Sequence, residues 1–163
     1  KRKRIGPLTQ TARDVRFVPV DFERDKLEDA LAEAGHDPTQ QTTWIWEGVV
    51  MYLALADNEA TLSVIARRST VGSRLIIVYH APALMLKLVG CIVRRVGGPL
   101  RSAFTAAQMG ALLTRFGFSV LLDEDVPTTA ARLSPTLLGR SRVLKHMRTV
   151  VAERKAGAVG AHA

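Results

Sequence analysis

The 163-residue sequence predicts an α/β fold built on a mainly parallel β-sheet, and three observations support that prediction. Short runs rich in β-branched and aromatic residues alternate with segments whose apolar residues recur at helical spacing, a pattern typical of βαβ units. Residues 74–79, RLIIVY, form a nearly continuous apolar run, as expected for a strand covered on both faces. Hydrophobic residues make up 47% and charged residues 23% of the chain, which is the composition of a globular domain with a core.

Five segments are predicted to be strands: residues 15–20 (VRFVPV), 42–46 (TTWIW), 74–79 (RLIIVY), 118–122 (FSVLL) and 147–152 (MRTVVA). Pro19 lacks a backbone N–H, so the first of them belongs at a sheet edge. Trp44 and Trp46 project from the same face of their strand, and this spacing indicates core packing.

Helices are predicted between these strands. Gly35 ends the first helix and Gly117 the fourth, because glycine adopts the left-handed conformation common after a helix. Asp57 and Thr105 are the predicted N-caps of the second and fourth helices. The helical segments are residues 25–34, 57–69, 83–95 and 106–116, followed by a helical turn at 128–133.

Composition excludes several classes of protein. Cys91 is the single cysteine, so an internal disulfide is impossible and a reducing, cytoplasmic location fits best. Residues 75–93 are apolar enough to suggest a membrane span, but Pro82 and Lys87 interrupt them. A strand, a turn and a helix explain that segment better, so no membrane association is expected.

The formal net charge of +8 raises the alternative of a nucleic-acid-binding or protein-interaction module without catalysis. The basic residues fall into three separate runs, however, and aromatic residues make up only 6% of the chain. A platform on which bases stack needs aromatic side chains interleaved with basic ones. The charge pattern therefore favours a solvated basic surface, and nucleic acid is not the expected partner.

Two acids follow predicted strands, where ligands of open α/β sheets bind. Asp21 follows VRFVPV, and Glu47 interrupts the apolar stretch TTWIWEGVVMYL. Either residue could be a solvated loop acid or a ligand group. The histidines have no partners at metal-ligand spacing, so no metal site is predicted.

The blocks VRFVPVDF, WIWEGVVMYL, GSRLIIVY and FTAAQMGALLTRFGFSV together resemble the bacterial members of the leucine carboxyl methyltransferase-like family. These are class I, Rossmann-like O-methyltransferases that use S-adenosyl-L-methionine. The resemblance implies that the chain holds strands three to seven of a seven-stranded sheet, without the first two strands and their glycine-rich loop. Residues 1–12 would be the tail of a preceding helix and loop, residues 13–155 the C-terminal part of the methyltransferase domain, and residues 156–163 a disordered tail.

This implied truncation has consequences for the sheet and for activity. Residues 15–20 would lack their sheet neighbour, so their backbone groups would meet water or pair in a non-native way. An exposed apolar edge would favour self-association. The fragment itself would be an impaired enzyme.

The resemblance also implies roles for individual residues. Asp21 matches the acid that accepts a hydrogen bond from the adenine amino group, and Phe22 matches the residue that borders the adenine. Glu47 matches the acid beside the cationic methionine end of the cofactor. Tyr52, Arg101 and Phe104 fall on the substrate side, although Tyr52 could simply pack against a helix. No catalytic residue or general base is identified, and the methyl acceptor, a carboxyl or hydroxyl group of a small molecule or peptide, stays open.

Overall fold

The computed structural model describes residues 14–21, 24–82, 100–134, 136 and 141–156. The chain divides into two compact units, Lys1–Asp37 and Pro38–Ala163, and each is considered by itself. Phe22, the predicted helix at 83–95 and the two predicted terminal segments (1–12, and 157–163 of the tail) lie outside the described residues.

The described part of the N-terminal unit contains one helix, α1 (Leu27–Glu33), which lies within the predicted segment. Gly35 follows it with a φ of 80°, so the predicted glycine stop is confirmed. The predicted strand at residues 15–20 is wrong: the structure assigns no strand there, and Val15 and Val18 are exposed. A strand needs a hydrogen-bonded neighbour, and none of the described strands pairs with this segment.

The described residues of the larger unit form a four-stranded sheet of β1 (Thr43–Trp46), β2 (Arg74–His80), β3 (Phe118–Asp125) and β4 (Met147–Arg154). The spatial order is β1-β2-β4-β3. β1 pairs with β2 in parallel, whereas β4 lies antiparallel between β2 and β3. The predicted α/β class is confirmed, but "mainly parallel" is wrong for the pairing, because two of the three described ladders are antiparallel. The last strand, β4, lies between β2 and β3, which both run in the opposite direction. The apolar periodicity of a sequence does not predict such an arrangement.

Within the described residues, three helices accompany these strands: α2 (Leu55–Arg67), α3 (Ala106–Arg115) and α4 (Val126–Leu133), with short 3₁₀ turns at Val50–Tyr52 and Arg142–Leu144. The predicted cap of α3 is confirmed, since the Thr105 hydroxyl accepts from the Gln108 N–H at 3.2 Å. Asp57 is not the N-cap of α2. That position belongs to Ala54, and the Asp57 carboxylate reaches back to accept the Ala54 N–H at 3.3 Å.

The sheet places its largest apolar side chains on one face. Trp46, Ile77 and Val150 are buried and lie opposite one another in the strand register. The predicted common orientation of the two tryptophans is confirmed, because the exposed Thr43 and Ile45 alternate with the less exposed Trp44 and Trp46 along the strand. In the described part of the chain, no helix is long and apolar enough to cross a membrane.

Candidate functional site

The candidate site lies where β1 and β2 end. Because these strands are parallel, their carboxyl ends meet at the same edge of the sheet. Glu47 follows β1 directly and is exposed, and its side chain has no hydrogen bond or ion pair among the described residues. Gly48 has a φ of 73°, and no heavy atom lies within 4 Å of where its Cβ would be. The end of β1 therefore presents a carboxylate next to open space.

A second segment meets this edge from later in the chain. We call residues 100–104 the strap. The Arg101 and Ser102 N–H groups donate to the Met51 carbonyl at 2.7 and 3.2 Å, and the Phe104 N–H donates to the His80 carbonyl at 3.0 Å. These bonds join the strap both to the turn after β1 and to the last residue of β2.

The strap brings together the residues predicted on the substrate side. Arg101 is exposed and its backbone is bonded to the residue before Tyr52, which is 38% exposed. Phe104 is buried against the end of β2. Tyr52, Arg101 and Phe104 thus lie at the sheet edge that Glu47 follows.

Asn58 of α2 holds this arrangement, and no sequence motif singled it out. Its side-chain amide donates to the Val50 and Leu53 carbonyls at 3.2 and 3.4 Å and to the Ser102 hydroxyl at 3.1 Å. The signal that could have found Asn58 is its spacing, because it precedes the buried Leu62 and Ile65 by four and seven residues. A polar residue on a buried helical stripe needs partners.

Asp21 lies in the N-terminal unit, in a turn that ends before α1. Its N–H donates to the Asp25 carboxylate at 2.7 Å, and its carbonyl accepts the N–H groups of Arg24 and Asp25. Its carboxylate lies 3.8 Å from Arg24 and is about half exposed. The backbone of Asp21 is therefore fixed while its carboxylate stays accessible.

A buried polar cluster of Tyr79, Asp123 and Arg148 joins β2, β3 and β4 near the same edge. The Tyr79 hydroxyl donates to the Asp123 carboxylate at 2.6 Å, and Arg148 Nε lies 2.8 Å from that carboxylate. Burial and the bond to Asp123 raise the pKa of Tyr79 above its ordinary value, so the phenol stays neutral. The sequence gives no hint of this cluster, because its members come from three separate strands.

His80 ends β2 at the site edge. Burial, with a smaller contribution from the neighbouring His146, lowers the pKa of the His80 imidazole, which is therefore neutral at pH 7. Within the described ranges, no three His, Cys, Asp or Glu side chains are placed to hold a metal ion.

Solved structures share the fold of this chain. A structure of an S-adenosylmethionine-dependent methyltransferase from Archaeoglobus fulgidus superposes with a TM-score of 0.53, covering 80% of this chain and 66% of that one at 12% identity. At such low identity, the likeness concerns the fold alone. The fold class is therefore Rossmann-like α/β, as the resemblance implied.

Sequence comparisons define the family more closely. Residues 1–66 match the profile of the family described as leucine carboxyl methyltransferase. A relative from Frankia alni, named "Putative S-adenosyl-L-methionine-dependent methyltransferase", is 45% identical over 58 residues, which are 36% of this chain and 20% of the relative. A relative of the same name from Mycolicibacterium smegmatis is 36% identical over 95 residues, or 56% of this chain and 32% of the relative.

Over residues 1–66, these matches confirm the resemblance to the leucine carboxyl methyltransferase-like family. The chain spans only 20–32% of the length of these two curated relatives. The profile match includes Asp21, Phe22, Glu47 and Tyr52, and it ends before the strap.

Proposed function

We propose that this chain is part of an S-adenosyl-L-methionine-dependent O-methyltransferase. Asp21, Phe22 and Glu47 are the proposed cofactor residues, and Tyr52, Arg101 and Phe104 the proposed residues of the acceptor side. The observation that carries the proposal is Glu47. This acid lies within the family match, at the carboxyl end of parallel strands, exposed, beside open space.

The chemistry of these residues suits the proposed cofactor. Its methionine end carries an ammonium and a sulfonium group, and Glu47 offers a carboxylate without a competing cation among the described residues. The accessible Asp21 carboxylate is suited to accept from an exocyclic amino group, a charge-assisted bond worth about 1.5–3 kcal/mol. When bound, S-adenosylmethionine supplies an electrophilic methyl group.

The chain's own contribution is to orient the acceptor. The strap and the turn after β1 are tied together by backbone hydrogen bonds, which gives Tyr52 and Arg101 fixed backbone positions. Holding two reacting groups in line can supply much of the rate enhancement without an acid or base. A carboxylate is already ionised and needs no general base, so we propose a carboxylate acceptor.

Calorimetric titration with S-adenosylmethionine tests the cofactor residues. We expect Asp21→Ala to weaken binding by about tenfold or more, because it removes one charged hydrogen bond. Glu47→Ala should weaken binding as well, by removing the attraction to the cationic end.

Asp29→Ala is the matched control, because Asp29 is an exposed acid of α1 with no role in the proposed site. The Frankia alni relative serves as a positive control for the assay. Equal affinities in wild type and all three variants would reduce Asp21 and Glu47 to ordinary surface acids. Binding by the relative and none by this chain would overturn the proposal for the chain by itself.

A further inference from the structure

We infer that Asn58 is a positioning residue of the acceptor side, which ties the strap to the turn after β1. The acceptor-side meaning of this tie rests on the proposed function, whereas the tie itself rests on the hydrogen bonds alone. Neither the family resemblance nor any motif in the sequence points to Asn58.

The contacts of Asn58 lie outside its own helix. It belongs to α2 and is 1% exposed, and its side-chain N–H groups reach Val50, Leu53 and Ser102. Ser102 lies 44 residues further along the chain. Asparagine is a poor helix former, and burying an amide costs free energy unless it is hydrogen-bonded. The bonds to the turn and the strap offset that cost.

Ser102 completes the connection from the other side. Its hydroxyl accepts from Asn58 and donates to the Leu53 carbonyl at 2.5 Å. The strap is thus bonded to the turn through both its backbone and one side chain. The Asn58 amide contacts both the turn and the strap, so it supports the backbone bonds that hold Tyr52 and Arg101 near each other.

One nearly isosteric substitution isolates this role. Asn58→Asp keeps the size of the side chain but replaces the donating amide nitrogen by an oxygen that faces the two carbonyls and the hydroxyl. The Asn58 Oδ1 atom has no hydrogen-bond partner among the described residues, so the substitution removes donors without removing an accepted bond. The new oxygen repels the Val50 and Leu53 carbonyl oxygens, and the substitution leaves no cavity.

Thr61→Val is the matched control. Thr61 is also buried on α2, and its hydroxyl donates to the Asp57 carbonyl of the same helix at 2.8 Å. The control therefore removes one buried hydrogen bond of α2, again without changing volume, and leaves the strap untouched.

Amide hydrogen exchange of the 163-residue chain is the first measurement. In Asn58→Asp, we expect the protection of the Arg101 and Ser102 amides to fall roughly tenfold, because their bonds to Met51 depend on the strap staying in place. The amides of β2 and β4 should keep their protection, and Thr61→Val should leave the strap protected. Unchanged protection in the strap, or an equal loss throughout the sheet, would overturn the inference.

Ser102→Ala gives a second route if Asn58→Asp fails to fold. It removes the distal acceptor of Asn58 from a half-buried position, and it should also lower the protection of the strap. Full protection of the strap in this variant would equally overturn the inference.

Calorimetry with S-adenosylmethionine then tests the acceptor-side assignment. Asn58→Asp should bind the cofactor with the affinity of wild type, whereas Glu47→Ala should bind it more weakly. A loss in Asn58→Asp as large as that in Glu47→Ala would place the strap on the cofactor side and contradict the assignment. Absence of binding by wild type would overturn the proposed function, while the exchange result would still decide whether the tie exists.

Discussion

The centre of the described sheet and its β1 edge differ in how firmly they are held. β2 and β4 each have a neighbour on both edges, and Ile77, Tyr79 and Val150 are fully buried between them and the helices. β1 has a described neighbour on one edge only, extends over four residues, and leaves Ile45 70% exposed. We call the part of the sheet around β4 the closed side and the part at β1 the open side.

Polar groups are used differently on these two sides. At the closed side, Asp123 is committed to Tyr79 and Arg148, and its side chain is 13% exposed. At the open side, Glu47 is exposed and has no described partner. Satisfied buried charges maintain strand register, whereas an unsatisfied exposed charge at a strand end is available to a ligand. The proposed chemistry accordingly belongs to the β1 side.

Breaking the cluster on the closed side should have the largest effect. Asp123→Ala leaves the Arg148 guanidinium and the Tyr79 hydroxyl without their main partner in a mostly buried position. We expect it to lower the free energy of unfolding by about 3 kcal/mol, as measured by urea denaturation. Tyr79→Phe, which removes only the hydroxyl, should cost about 1 kcal/mol. An Asp123→Ala variant as stable as wild type would show that the cluster does not hold the three strands together.

On the open side, the expected effect is on association. We expect the chain to self-associate through the β1 edge, because an apolar strand with an unpaired edge is a template for a second copy. Ile45→Lys should shift the protein towards monomer in sedimentation velocity, with little change in unfolding free energy, since Ile45 is exposed.

Val143→Lys tests whether the location matters or only the apolar surface. Val143 is 82% exposed but lies in the 3₁₀ turn before β4, away from the β1 edge in the strand order. The Val143→Lys substitution should leave the association unchanged. A wild-type chain that sediments as a monomer at every concentration tested would contradict the prediction.

The comparison also explains which features could be predicted from the sequence. β2 was predictable because its apolar run needs no knowledge of its neighbours, and α3 because Thr105 and Gly117 mark its two ends chemically. Residues 15–20 have the composition of a strand, but strand formation depends on a partner that local sequence does not specify. The antiparallel pairing of β4 with β2 and β3 could not be predicted for the same reason, because the choice of neighbouring strand depends on tertiary structure.

The candidate site divides in a similar way. The place of Glu47 after a strand could be predicted, because an acid that interrupts an apolar run is visible in the sequence, and its role as a ligand group stays a prediction. The buried position of Asn58 could be inferred from its helical spacing, but its bond to the strap could not, because Ser102 lies far away in the chain. Asp21 stays a prediction about a ligand group, and Phe22 lies outside the described residues.

The smallest predicted effect is on the pH dependence of stability. It compares His80 at the end of β2 with His146, which directly precedes β4. Burial and His146 lower the pKa of His80 in the folded state, so below about pH 6.5 the unfolded chain binds more protons there than the folded one. Stability should therefore fall as the pH drops through 6.5, and it should do so before most carboxylates titrate near pH 4.

His80→Gln should flatten the dependence of the unfolding free energy on pH between about pH 7.5 and 5.5. His146→Gln should flatten it less, because burial is the larger cause and would persist. Urea denaturation at a series of pH values distinguishes the cases. A slope in His80→Gln equal to that of wild type would show that another group controls stability in this range.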